Sequence, residues 1–302
     1  MVWQRECSWS NINRLCDKFS VKPPDFIIGV GGGRALDAAK VIAYRLGRPM
    51  VSVPAIAATC AAVTAISIID TDEGVFQEVC YEANSPHLVL VDPQIIAHAP
   101  VRLLTAGIGD TLAKWFELEV TTRKGGRREA VVAAAVSMAR LAYDLLLEHG
   151  VSAKESADRR EVTYPLEQVI DANILLSGLA SNLGGAQCRN AAAHSVYSGM
   201  TILPETHQMY HGEIVAFGIL VQLMIDGKRD EARQLIPYYR KLGLPVCFSE
   251  LGIVSCEGEW LCNVAKASVD VPDMRNMPYP VTVEMVVDAL CAADRLGSMY
   301  RS

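Results

Sequence analysis

The chain has 302 residues and a formal net charge of −6, and 51% of its residues are hydrophobic while 21% are charged. This length is enough for one or two domains with a buried core, and this composition is typical of a globular rather than a disordered protein. The mildly acidic balance gives no electrostatic reason to expect a nucleic-acid partner. No run of about 18 uncharged apolar residues occurs, so we expect no membrane span.

The N-terminal residues and the cysteines favour the cytoplasm. The first seven residues lack the apolar core of a signal peptide. Nine cysteines are scattered along the chain and form no Cys-x-x-Cys pair. This usage predicts reduced, mostly buried thiols in a cytoplasmic protein rather than a disulfide framework or a cysteine zinc site.

The first hundred residues alternate strand and helix patterns. A β-branched run at 25–33 ends in glycines and predicts a buried strand with a tight turn, followed by a helix at 34–46 and a strand at 50–54. Further strands are predicted at 65–69, 76–81 and 87–91. Strand, turn, helix and strand in this order predict a parallel sheet with crossover helices.

After residue 100 the periodicity becomes helical. Helices are predicted at 109–121, 128–148, 165–183, 212–224, 228–241 and 282–295. The predicted fold class is therefore an α/β nucleotide-binding domain over residues 1–100, followed by an all-α domain over residues 101–302.

A glycine-rich turn links the first predicted strand to its helix. It reads Gly29-Val-Gly31-Gly32-Gly33 and differs from the Gly-x-Gly-x-x-Gly dinucleotide fingerprint. Glycines let the backbone approach a phosphate, and the helix N-terminus supplies free N–H groups. A purely structural turn remains the alternative. Asp37, in the first turn of the helix, either complements the helix dipole or contacts a cofactor.

Asp110, His194 and His211 are the residues most indicative of chemistry. One carboxylate and two imidazoles form a suitable ligand set for Zn²⁺ or Fe²⁺, with positions left for water or substrate. Each residue also has a structural interpretation, since Asp110 follows a glycine like a helix N-cap and a lone histidine is commonly a core residue. His207, four residues before His211, is a further candidate on the same helical face.

Taken together, the motifs resemble the glycerol dehydrogenase and hydroxycarboxylate dehydrogenase branch of the metal-dependent (iron-containing type) alcohol dehydrogenases. The matching strings cover the whole chain in order, at residues 29–40, 53–62, 89–92, 106–117, 192–195, 206–213 and 215–222. The resemblance implies a Rossmann-like nucleotide domain with an incomplete parallel sheet, a helical metal-binding domain and an active site between them, in the dehydroquinate synthase-like fold. Met1–Cys7 matches the middle of the family's first domain, so we expect the chain to be truncated at its N-terminus.

The resemblance also implies roles for individual residues. Asp110, His194 and His211 match the ligands of a zinc or iron ion, and no catalytic side chain is expected beyond this metal site. NAD(H) or NADP(H) is the implied second cofactor. The implied cofactor contacts are Gly33, Arg34, Ala35, Leu36, Asp37, Ala55, Ala58, Thr59, Thr64, Ile66 and Asp70.

Cys60 is the implied substrate residue and departs from the glycerol dehydrogenase pattern, in which an aspartate meets a polyol hydroxyl. Loss of that acceptor favours a small 2-oxo acid or ketone over glycerol. The expected partners are small alcohols, ketones or 2-oxo acids, in a homo-oligomer. Two alternatives stay open: a truncated, non-catalytic paralogue that retains the metal-binding helical domain, and a dehydroquinate synthase-like lyase.

Overall fold

The computed structural model describes residues 6–81, 84–124, 129–254 and 258–300, with the backbone alone at residues 124 and 186–189. Within these ranges the strands are β1 (Ile27–Gly31), β2 (Met50–Pro54), β3 (Ser67–Asp70), β4 (Phe76–Cys80) and β5 (Leu88–Val89). The α-helices are α1 (Trp9–Val21), α2 (Gly33–Arg45), α3 (Pro93–Ala97), α4 (Val101–Thr121), α5 (Ala130–Asp158), α6 (Tyr164–Asp171), α7 (Ser177–Arg189), α8 (Ala192–Met200), α9 (His211–Ile225), α10 (Arg229–Leu242), α11 (Glu259–Asp270) and α12 (Val283–Ser298).

The N-terminal half is built on a three-stranded parallel sheet with the strand order β1-β2-β5. β1 and β2 pair from Ile27 opposite Met50 to Gly31 opposite Pro54, while β3 and β4 form a separate antiparallel hairpin. Helices α1 and α2 bury apolar side chains against one face of the sheet, in a small core of its own. The opposite face carries the half-exposed side chains of Ile28, Val30, Leu88 and Leu90. The predicted α/β class is confirmed, with one apolar sheet face open.

The main hydrophobic core belongs to the helical half but extends beyond it. It runs through α4 to α12 and includes Leu36, Ala57 and Val63 from the N-terminal half. The predicted boundary near residue 100 falls in the short connection between α3 and α4. The two halves therefore share packing around the loop that follows β2.

Two helical segments differ from the sequence prediction. α4 begins at Val101 rather than at residue 109, so Asp110 lies in mid-helix and its N-cap interpretation is wrong. The helix predicted over 165–183 is interrupted by a π-helical turn at Ala172–Leu176 between α6 and α7. π-turns of this kind are frequent at functional sites.

Two expectations from the composition, no membrane span and reduced cysteines, are affected by helix α5 and by one cysteine. Among the described residues, α5 has the length and apolarity of a membrane span, and 22% of its most apolar window is buried. A single helix of this kind is weak evidence of a membrane span, because core helices of soluble proteins can have the same length and composition. Six described cysteines are free thiols, but Cys291 is disulfide-bonded, so the prediction of reduced thiols is wrong for that residue.

α4 and α9 cross at an unusually close backbone distance. A Cβ atom added to Gly109 would lie 2.4 Å from the Gly212 carbonyl oxygen, and one added to Gly212 would lie 1.8 Å from the Ala106 carbonyl oxygen. Real side chains do not tolerate such distances, so both positions require glycine for steric reasons. The crossing places Asp110 of α4 directly beside His211, the first residue of α9.

We expect Gly212→Ala to separate α4 from α9 and to destabilise the protein. The added methyl group meets backbone, which cannot rotate away, so the free energy of unfolding should fall by about 3 kcal/mol or more. Thermal unfolding measures this loss. Gly33→Ala is the matched control, because its Cβ would lie 3.4 Å from Thr59 Oγ1, an ordinary contact. Equal unfolding temperatures for the two variants would contradict the steric explanation.

Candidate metal centre and cofactor groove

Three helices bring the Asp110, His194 and His211 side chains together. Asp110 Oδ1 lies 3.2 Å from His194 Nε2 and 3.3 Å from His211 Nε2. One ligand atom from each of the three residues lies within 4.8 Å of the others. Atoms held about 2.1 Å from a tetrahedral ion are about 3.4 Å from one another, so this spacing suits a first-row metal.

The state of the Asp110 carboxylate also fits a metal ligand. Its Oδ1 atom is buried and makes no hydrogen bond of acceptable geometry with the described residues. Burial disfavours the charge, but the nearby His211 and His194 imidazoles outweigh it and hold the pKa of Asp110 well below its usual range. The Oδ1 atom lies between two imidazoles without a well-aligned hydrogen bond from either, and a divalent metal at this point would pair with its charge.

Glu117 holds His194 from behind and was not identified by the sequence motifs as a site residue. Its carboxylate is fully buried, and Oε2 lies 2.7 Å from His194 Nδ1. Oε1 accepts the backbone N–H groups of Ala191 at 2.7 Å and His194 at 3.0 Å. Burial opposes a charged imidazole, but the negative charge of Glu117 overcomes it and raises the pKa of His194 to about 9. The Nδ1 contact leaves Nε2 as the nitrogen presented to Asp110.

His207 and Tyr197 occupy different positions relative to these residues. His207 lies in the 3-10 turn Pro204–Gln208, where its Nε2 atom is 2.9 Å from the Thr201 carbonyl oxygen. It is therefore not part of the cluster. Tyr197 of α8 packs edge-on against His211, with ring centroids 4.3 Å apart, and forms the wall beside that imidazole.

The glycine turn and the loop after β2 lie side by side, and the surface that they share is called the groove below. The Ala55 N–H donates to the Gly31 carbonyl oxygen at 2.9 Å. A Cβ atom on Gly33 would lie 3.4 Å from Thr59 Oγ1. Among the described residues, no side chain caps the N-terminus of α2 at Gly32, so its first backbone N–H groups suit a phosphate. Ala35 and Ala58 lie on these same two segments.

Lys40 joins helix α2 to the segment that precedes β3, inside the protein. Its buried ammonium is 2.8 Å from Asp37 Oδ1, donates to the Thr64 carbonyl oxygen at 3.2 Å and also bonds the Ile66 carbonyl oxygen. Asp37 Oδ2 accepts the Ile68 N–H at 3.0 Å. The Asp37 carboxylate is thus engaged by protein groups, and Leu36 is buried in the main core. Both side chains are therefore buried and in contact with other parts of the protein.

A charged cluster lies at the start of α2, beside the glycine turn. The Arg34 guanidinium pairs with Glu6 at 2.8 Å and with Asp70 at 3.3 Å. Burial, with the charges of Asp70 and Asp110, raises the pKa of Tyr197. Tyr197 is therefore within electrostatic reach of both the groove and the triad.

Cys60 lies on the rim of the loop after β2. Its carbonyl oxygen accepts the N–H groups of Val63 at 3.0 Å and Thr64 at 3.2 Å, which closes a tight turn. The thiol is free and partly exposed. The structure places Cys60 directly after the groove residue Thr59.

Comparison with known proteins shows similarity along the whole chain. Residues 2–93 match the family described as iron-containing alcohol dehydrogenase. The chain is 41% identical to glycerol dehydrogenase of Thermotoga maritima, over 100% of this chain and 83% of that protein. It is 40% identical to hydroxycarboxylate dehydrogenase A of Escherichia coli, over 84% of this chain and 70% of that protein. The structure of a probable glycerol dehydrogenase from Sinorhizobium meliloti superposes with a TM-score of 0.90 at 35% identity, over 99% of this chain and 84% of that one.

We expect His211→Ala to abolish stoichiometric metal binding. Removing one of the three converging ligands leaves two, which are too few to hold an ion in competition with water. Metal content after dialysis, measured by plasma mass spectrometry, checks this. His207→Ala is the matched control, because that imidazole contacts a carbonyl oxygen outside the cluster, and it should retain the wild-type metal content. Undiminished metal in His211→Ala would exclude this site.

Glu117→Gln should weaken metal binding without abolishing it. The amide carries no negative charge to orient and polarise the His194 ring, and loss of such a partner typically lowers metal affinity about 10- to 100-fold. Competition with a chromophoric chelator measures the affinity. Glu119→Gln, two residues further along α4, is the control, since Glu119 pairs with Arg123 and Lys228 instead. Equal affinities in both variants would remove the role assigned to Glu117.

Proposed function

Because the chain belongs to the iron-containing alcohol dehydrogenase family, we propose that it moves hydride between a nicotinamide cofactor and a small 2-oxo acid or its 2-hydroxy acid. The chain is a metal-dependent oxidoreductase of the alcohol or glycerol dehydrogenase type. The observation that carries the proposal is the convergence of Asp110, His194 and His211, each of which offers one ligand atom within 4.8 Å of the others.

The proposed metal ligands are Asp110, His194 and His211, and the ion is zinc or iron. When bound, the metal supplies Lewis acidity to the substrate oxygen, and the nicotinamide supplies or accepts the hydride. Glu117 orients His194, and Tyr197 restricts access beside His211. No side-chain acid or base is assigned.

The proposed cofactor is NAD(H) or NADP(H), held in the groove. Its phosphates would lie at the free N–H groups that open α2, between the glycine turn and the loop that follows β2. The proposed contacts are Gly33, Arg34, Ala35, Leu36, Asp37, Ala55, Ala58, Thr59, Thr64, Ile66 and Asp70. Of these, Leu36 and Asp37 can act through their backbone or through the shape of the groove, since their side chains are engaged elsewhere.

Cys60 supports the choice of substrate. A thiol is a weak hydrogen-bond partner, so a polyol hydroxyl at this position would lose the strong acceptor that an aspartate offers. A pocket that pairs a hydroxyl poorly has little selectivity for a polyol. A carboxylate-bearing substrate needs no such acceptor there and would be repelled by one. The similarity to both glycerol dehydrogenases and a hydroxycarboxylate dehydrogenase leaves glycerol as the competing substrate to test.

The remaining proposals concern organisation. We place the division between nucleotide-binding and metal-binding units at the connection between α3 and α4, and we propose a cytoplasmic homo-oligomer. A non-catalytic paralogue or a lyase is not favoured, because dehydrogenases match the full length of the chain. Titration with NAD(H) and NADP(H) tests the catalytic interpretation, which fails if neither binds at millimolar concentration to the folded, metal-loaded protein.

Steady-state kinetics should show a higher kcat/KM for 2-oxobutanoate reduction than for glycerol oxidation, with metal and either nicotinamide present. Cys60→Asp should shift this ratio toward glycerol by about tenfold or more, because the new carboxylate accepts a hydroxyl and repels an anion. Cys262→Asp, a partly exposed thiol on α11, is the control and should leave the ratio unchanged. Glycerol turnover equal to or better than that of 2-oxobutanoate in the wild type would refute the substrate preference.

A further inference from the structure

Lys114 is a buried cation within the metal-binding face of α4. It follows Asp110 by four residues and precedes Glu117 by three, so all three side chains lie on one stripe of the helix. All three residues are at most 4% exposed. The charge of Lys114 acts on Asp110, Glu117 and His194, which places its ammonium within electrostatic reach of the metal cluster.

The side chain that directly contacts the Lys114 ammonium is uncharged. The Lys114 Nζ atom donates to Asn190 Oδ1 at 3.3 Å. Asn190 Nδ2 donates in turn to Asp273 Oδ2 at 3.2 Å, so the nearest acid on this side is separated from Lys114 by an amide. Asn276 Nδ2 donates to the Asn190 carbonyl oxygen at 2.8 Å and fixes the asparagine in place. An ammonium has three donors, and Asn190 takes one of them.

Among the described residues, no carboxylate forms a direct ion pair with the Lys114 ammonium, whose hydrogen bond goes to Asn190. With a divalent metal bound, the carboxylates of Asp110 and Glu117 offset the ion. Lys114 then remains a buried positive charge whose direct partner among the described residues is an uncharged amide, with the Asp273 carboxylate one amide further away. Burial of such a charge is costly unless an anion pairs with it. A monoanionic substrate would supply that pairing in the loaded enzyme.

We propose that Lys114 recognises the carboxylate of the substrate, an inference that rests on the proposed 2-oxo acid reductase function. In a 2-oxo acid the carboxylate is bonded directly to the reacting carbonyl carbon. Side chains one helical turn apart on one face have Cβ atoms about 5–6 Å apart. A substrate whose carbonyl oxygen faces the metal beside Asp110 can therefore present its carboxylate one turn along α4, at Lys114.

This arrangement would also discriminate against polyols. Glycerol brings hydroxyl groups but no anion, so its binding would leave the Lys114 ammonium buried without a countercharge. A site with an unpaired buried charge rejects the ligand that fails to pair it. Lys114 and Cys60 would then act in the same direction, one by attracting the acid and the other by failing to hold the polyol.

The test compares 2-oxobutanoate with butanone, in which a methyl group replaces the carboxylate, on wild-type enzyme, Lys114→Met and Lys114→Arg. Methionine keeps most of the lysine stem and removes the charge. We expect Lys114→Met to lower kcat/KM for 2-oxobutanoate about 100-fold, the scale for loss of one partner of a buried charge pair. Butanone turnover should change less than about threefold, and Lys114→Arg should restore part of the loss. Lys228→Met, at a lysine paired with Glu119 and Glu231 on the protein surface, is the control.

Oxamate binding to the enzyme loaded with metal and cofactor, measured by calorimetry, gives a readout without turnover. Weaker oxamate binding in Lys114→Met, with unchanged metal content, supports the inference even if the wild type prefers glycerol, in which case the proposed function alone fails. Unchanged oxamate binding overturns it. An equal loss of 2-oxobutanoate and butanone turnover, or loss of metal, assigns Lys114 a structural role and also overturns it.

Discussion

The candidate site depends on how closely α4 and α9 approach each other. Gly109 and Gly212 let backbone meet backbone where any side chain would collide. This contact fixes the first turn of α9 against the middle of α4, and so sets the distance between Asp110 and His211. α8 then brings His194 to the same point, because Glu117 binds both its N-terminal N–H groups and its imidazole. The ligand geometry is therefore determined by steric contact first and by hydrogen bonding second.

The same stripe of α4 concentrates three buried charges that stability alone does not explain. Desolvation of Asp110, Lys114 and Glu117 costs free energy, and the hydrogen bonds present offset that cost most fully for Glu117. Asp110 Oδ1 and the Lys114 ammonium are left with incomplete or neutral partners. Buried charged groups with incomplete partners are commonly paired by a bound ligand. Asp110 calls for a positive charge, and Lys114 calls for a negative one. A cation at Asp110 and an anion at Lys114 would complete both.

Sequence patterns predicted the elements of the N-terminal half closely, since β2 and the two hairpin strands lie where β-branched residues and turn signals put them. The helices of the C-terminal half were predicted less accurately. Gly107 and Gly109 argue against a helix interior by propensity, and the predicted helix therefore began at residue 109, whereas tertiary contacts carry α4 back to Val101. α8 was missed because it has only nine residues, which is shorter than the window of about 11 residues over which a helical period is recognised.

Site residues could be predicted where their chemistry is distinctive and missed where it depends on packing. The residue types of Asp110, His194 and His211 suggested a metal, and the structure shows that they meet, while His207, with the same side chain, turns away to a carbonyl oxygen. Glu117 could have been found from its spacing of seven residues after Asp110, which is two helical turns. For Asp37, the ion pair with Lys40 follows from helical i,i+3 spacing, but the hydrogen bond from the Ile68 N–H depends on the position of strand β3 and could not be predicted.

Side chains of the helical half also position a loop of the N-terminal half. Asn173, in the π-helical turn, donates to the Ala57 carbonyl oxygen at 3.0 Å, and Asn182 of α7 bonds the backbone of Val63 at 3.2 Å and of Ala65 at 3.1 Å. These two asparagines of the helical half therefore hold the loop that forms one wall of the cofactor groove. A shift of α7 would move that loop, and the same helical half carries Asp110, His194 and His211. The groove and the triad are thus linked by hydrogen bonds between side-chain amides and backbone groups. These hydrogen bonds fix the position of the loop without adding charge.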